Sequence, residues 1–91
     1  MAGAFAQGNA GLNEEVEGTI DILETTPASG RAMGERLAGY GRSYLPPILR
    51  RMSPQQRDAA VRRVQRVRDK APAGSYRAAL DRLATAMAGV R

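Results

Sequence analysis

Bulky apolar side chains are scarce in this chain, and that scarcity limits what it can fold into. Leu, Ile, Val and Phe together number 16 of 91 residues, and Ala alone supplies another 16. The bulky share is about 18%, under the rough 20% below which weak cores and disorder become common. A chain this short also hides a smaller share of its surface than a larger domain does. Ordering each residue costs about 1–2 kcal/mol of backbone entropy. The expectation is one thinly cored domain, marginal alone and completed by a partner or by its own copies.

Periodicity and punctuation are helical throughout, and nothing reads as strand. The fold class is all-α: a small bundle of three to four helices behind a Gly/Ala-rich N-terminal arm. The arm covers residues 1–12, flexible or docked on a partner, with Phe5 as its candidate anchor in a partner's groove. The single helical domain covers 13–91. A first helix is predicted over about 13–24, capped by Asn13, with Glu14 and Glu15 in the turn where the dipole favours negative charge. Leu12, Val16, Ile20 and Leu23 give it one apolar face, and Thr25-Thr26-Pro27 stops it.

A second helix is predicted over about 28–40, with Met33, Leu37 and Tyr40 as its apolar stripe. Gly30, Gly34 and Ala38 form a row of small residues that lets another helix come close. Gly39-Tyr40-Gly41 reads as its end, and Tyr44-Leu45-Pro46-Pro47 as a stiff Pro-rich corner over 44–53. The third helix, about 54–70, has the clearest start: Ser53 as N-cap, Pro54 at the first position and Gln56 completing a capping box. Its apolar face is Ala60, Val61, Val64, Val67 and Ala71. The fourth, about 75–90, starts at Ser75 as cap and repeats Tyr76, Leu80, Leu83, Met87 and Val90 at intervals of 4, 3, 4 and 3. The first, third and fourth helices are expected to build the bundle.

Charge is split along the chain. Residues 1–30 hold five acids (Glu14, Glu15, Glu17, Asp21, Glu24) and no base, whereas residues 31–91 hold all 14 bases and four acids. The halves sum to −5 and +10, giving the net +5. An acidic head on a basic body neutralises itself, neutralises a neighbouring copy, or leaves a basic face for a polyanion. Thirteen Arg stand against one Lys. That ratio suits bidentate contacts with carboxylates or phosphates, and equally reflects a GC-rich coding sequence.

Composition excludes much chemistry. With no Cys and no His, the chain lacks thiolate nucleophiles, disulfides and the commonest general base and metal ligand. No run approaches the roughly 18 apolar residues of a membrane span. The N-terminus lacks the basic and apolar regions of a signal peptide, so the expected location is cytoplasmic or inside an assembled particle. The first-helix acids are the one carboxylate cluster, but a regular helix is a poor cation cage, and they read as a solvated or salt-bridged face. No phosphate-gripping Gly motif is present. The chain is therefore expected to be no enzyme, with no cofactor, metal or small-molecule substrate.

Residues 57–70 carry six bases and two acids. On a helical wheel Arg62 and Arg66 lie opposite the apolar face, with Arg63 and Lys70 on one flank. Together with Arg50 and Arg51 these are the candidate contacts to an acidic partner or to nucleic-acid phosphates. Arg57 and Arg68 project towards the apolar side and so need partners. Glu14, Glu15 and Glu17, from the same chain or a neighbour, are the expected ones. The leading expectation is a non-enzymatic structural or adaptor subunit of a larger assembly, such as a virus or phage particle or a secretion apparatus, contacting other subunits or its own copies. The alternatives are a non-specific nucleic-acid-binding protein and a regulatory inhibitor-type binder of one protein target.

Overall fold

The computed structural model describes residues 14–90. The arm with Phe5, the Asn13 cap and Leu12 lie outside the described residues. Four α-helices fill the rest: α1 (14–24), α2 (Arg31–Leu49), α3 (Pro54–Lys70) and α4 (Ser75–Ala88), with a single 3-10 turn at Ala28–Gly30 before α2.

Helix α1 buries Val16, Ile20 and Leu23, each at most 2% exposed. Its end is closed by hydroxyls. Thr25 Oγ1 donates to the Asp21 carbonyl at 2.8 Å, beside the Thr25 N–H, and Thr26 Oγ1 donates to the Ile22 carbonyl at 2.6 Å, a partner that this last-turn carbonyl otherwise lacks. Pro27 then prevents continuation. At α3 the capping box is complete: Gln56 N–H donates to Ser53 Oγ at 3.2 Å, and Ser53 N–H donates to Gln56 Oε1 at 3.0 Å.

Helix α2 differs most from the sequence expectation. It does not stop at Gly39–Gly41 but runs to Leu49, carrying Pro46 and Pro47 inside it. The corner over 44–53 shrinks to the link 50–53. Each proline removes an N–H that would bond four residues back, so the carbonyls of Arg42 and Ser43 lose their helical donors. Both residues are exposed, where water can satisfy them. What holds the helix together is packing, since Leu45 and Leu49 are fully buried.

The buried face of α2 is also not the expected one. Met33 and Tyr40 are 69% and 68% exposed, and Leu37 is half-buried. The core side is Gly34, Ala38, Gly41, Leu45 and Leu49. Small residues face inward because α4 brings bulk to meet them. A Cβ on Gly34 would stand 2.8 Å from Tyr76 Cε1 and 3.2 Å from Thr26 Cγ2, and one on Gly41 3.2 Å from Leu83 Cδ1. Gly34 and Ala38 thus do what their spacing suggested, with Gly41 in the place of Gly30, which lies in the turn before the helix, and α2 joins the bundle alongside the other three helices.

Pairings between levels give the topology. Gly34 meets Tyr76 and Gly41 meets Leu83, so α2 and α4 run parallel. Thr19 bonds Tyr44 while Thr26 sits against Gly34, so α1 runs antiparallel to α2. Arg68 reaches Asp81 across the α3–α4 hairpin. The helices alternate in direction along the chain, the up-down-up-down order of simple bundles. At the hairpin, Gly74 has φ +153° and caps α4, a conformation that side chains disfavour. Ser75 is not the cap; its hydroxyl donates to Glu35 Oε2 on α2 at 2.9 Å.

Two glycines of one helix should respond oppositely to substitution. Gly34→Ala is expected to lower stability by about 1–2 kcal/mol through overpacking against Tyr76. Gly39→Ala, exposed and with nothing within 4 Å, should raise it by about 0.5–1 kcal/mol. Urea denaturation of the two variants checks both signs.

Candidate functional site

Of the basic residues on α3, the bundle withdraws three from solvent recognition. Arg63 turns towards α1. Its Nη2 donates to Asp21 Oδ1 at 2.7 Å and to Glu24 Oε1 at 2.7 Å, and its Nε to Glu24 Oε2 at 3.2 Å. The two carboxylates, Glu24 foremost, push the Arg63 pKa further above its ordinary value. Arg68 bonds Asp69 and Asp81, each at 3.0 Å. Arg57 Nη1 donates to the Met52 carbonyl at 2.8 Å, closing the turn that follows α2.

The acidic head therefore does pack along α3, but through a different arginine and different acids. Arg63 occupies the flank of α3 that faces α1, and Asp21 and Glu24 stand at its level. Arg57 reaches the link after α2 and Arg68 reaches α4 instead. Glu14, Glu15 and Glu17 are exposed and form no ion pair among the described residues.

Arg62, Arg66 and Lys70 stay exposed on the outer side of α3, and Arg50 and Arg51 on the link before it. None of the five has an acidic partner among the described residues. The exposed Asp58 and Asp69 interrupt this surface. A second feature lies on α2, where the exposed Met33 and Tyr40 flank the half-buried Leu37 at spacings of four and three. Ile22 of α1, 56% exposed, lies beside them, because Thr19 is tied to Tyr44 and Thr26 abuts Gly34 on either side of it.

The ends of all four helices enclose a cleft of about 250 Å³. The buried Leu23, Ala71 and Tyr76 and the half-buried Val67 give it apolar lining, and the exposed Arg31, Arg66, Lys70 and Glu24 line it with charge. The buried Tyr76 hydroxyl donates to the Leu23 carbonyl at 3.1 Å. Burial raises the Tyr76 phenol's pKa, opposed by the charge of Arg31. Arg31 had no place in the sequence expectation, because the four segments that meet here share no local motif.

Polar satisfaction is otherwise complete. Thr19 Oγ1 donates to the Glu15 carbonyl at 2.9 Å, so the Tyr44 hydroxyl, 2.8 Å away, must donate to Thr19. Among the described residues no buried side-chain N or O lacks a partner, no set of three acids converges on a metal-sized site, and no helix is long and apolar enough to cross a membrane. The chain matches no family model, no curated protein and no solved structure.

The Arg63–Glu24 pair should show a coupling of about 0.5–1 kcal/mol in a double-mutant cycle, shrinking as salt rises, whereas Glu17→Gln should leave stability unchanged. Tyr76→Phe should cost about 1 kcal/mol, since it strips the Leu23 carbonyl of a buried donor. A raised folded-state pKa means that the unfolded chain ionises first as pH rises. The stabilisation is then complete below the ordinary tyrosine pKa near 10 and declines above it. Unfolding curves between pH 8 and 11.5 should fall more steeply for the native chain than for Tyr76→Phe.

Proposed function

We propose that the protein is a non-enzymatic helical adaptor or structural subunit that docks onto other protein subunits, its own copies included. The observation that carries this reading is the exposure of Met33 and Tyr40 on one side of α2, with the half-buried Leu37 between them, and of Ile22 on α1. In a chain so short of large apolar side chains, the bundle leaves several of the largest in water. Contiguous exposed apolar surface rimmed by polar groups marks interaction sites. Arg36 borders the exposed apolar side chains on α2, and the unpaired Arg62, Arg66, Lys70, Arg50 and Arg51 supply a cationic face suited to acidic partner surfaces. A virus or phage particle or a secretion apparatus is the kind of assembly that uses such components.

The five unpaired cations also favour a second reading, non-specific nucleic-acid binding. The pairing of Arg63 and Arg68 and the presence of Asp58 and Asp69 on the same side weaken it. If all five contacted phosphates, affinity for duplex DNA would fall by about 10²–10³-fold between 50 and 200 mM salt.

Sedimentation velocity from 10 μM to 1 mM protein separates the readings. The adaptor reading expects mass to rise with concentration, and the Met33→Ser/Tyr40→Ser variant to remain monomeric with its melting curve unchanged. A native chain that stays monomeric throughout, yet binds mixed-sequence duplex with that salt dependence, would overturn it in favour of nucleic acid.

A further inference from the structure

We propose that the cleft at the helix ends is a binding site for a phosphomonoester carried on a small apolar group. This inference does not depend on the adaptor reading. Three cations from two helices, Arg31 on α2 and Arg66 and Lys70 one turn apart on α3, stand around one opening of about 250 Å³. None of them has an acidic partner among the described residues. The cleft's one carboxylate, Glu24, has both oxygens engaged by Arg63, so it offers the three cations little compensation. Gathering like charges at one mouth is unfavourable, and a dianion placed among them relieves it. Two guanidiniums give the forked donor geometry that matches phosphate oxygens, and the ammonium adds a point charge.

The apolar lining sets the rest of the ligand. Leu23, Val67 and Tyr76 line the same cleft as the cations with apolar surface, and the Tyr76 hydroxyl is already committed to the Leu23 carbonyl. A bare phosphate leaves that lining wet, whereas an aryl or alkyl ester covers it. The site binds without turnover, because no nucleophile–base pair lines it.

The test is isothermal titration of the full chain with phenyl phosphate at pH 7.5 and 50 mM salt. One equivalent should bind, and inorganic phosphate at matched ionic strength should bind about tenfold more weakly. Arg31→Gln and Arg66→Gln, both at exposed positions, should each weaken phenyl phosphate at least tenfold. Arg62→Gln, on the same helix but outside the cleft, should leave it unchanged. Equal loss in Arg62→Gln, or equal affinity for the two phosphates, would overturn the proposal, since either marks diffuse charge attraction. Amide shift changes in the native chain give a readout that needs no variant. They should cluster around Leu23, Arg31, Val67 and Tyr76, and a spread over every arginine-bearing face would likewise refute the site. A phosphotyrosyl pentapeptide binding as tightly as phenyl phosphate would place the ester on a partner protein, whereas weaker peptide binding would identify a free small ester.

Discussion

The phenol ring of Tyr76 occupies its place against α2 because residue 34 has no side chain. That approach brings α2 and α4 together in parallel, with Leu83 repeating the fit one level on at Gly41. Much else follows from it. The Tyr76 hydroxyl reaches the end of α1 at Leu23, so one side chain links three helices and forms part of the cleft lining. Close approach also lets a core with few large residues close, because Ala38, Ala79 and Ala84 suffice where backbones are near. Each glycine in the helix costs up to about 1 kcal/mol of propensity, and the packing it permits offsets that loss.

The legible parts of the fold were those written in bulky residues and in capping chemistry. Val16, Ile20 and Leu23 on α1, Val61 and Val64 on α3, and Leu80, Leu83 and Met87 on α4 are buried as their spacing implies. The Ser53–Gln56 box has the geometry that its residues suggest. On α2 hydrophobicity alone picks out Met33 and Tyr40, whereas the small residues Gly34 and Ala38 mark the face that is buried. Burial there follows the shape of the partner helix. Within the chain the ion pairs differ from the expected ones for a related reason: a helical wheel gives the direction of Arg63 but not its height against Asp21 and Glu24. The cleft was invisible because Arg31, Arg66 and Tyr76 come from three separate segments.

Charge in the folded molecule is arranged differently from charge in the chain. The acidic head spends Asp21 and Glu24 on one arginine and holds Glu14, Glu15 and Glu17 outward. The protein thus presents negative charge at the start of α1, cations along the outer side of α3, and exposed apolar side chains on α2 towards the other end of α1. Surfaces of three chemistries on a bundle this small suit contacts with more than one neighbour, each held by modest forces and sorted by sign.

The two prolines within α2 determine how this helix can exist at all. Beyond Ser43 it lacks two consecutive rungs of its hydrogen-bond ladder, and only the seating of Leu45 and Leu49 among the other helices restores continuity. Its second half is therefore a product of the tertiary fold and has little standing as an isolated segment. Secondary structure and side-chain packing in this region must disappear in a single cooperative step, so an expanded, still-helical intermediate would keep α1, α3 and α4 but lose the C-terminal turns of α2.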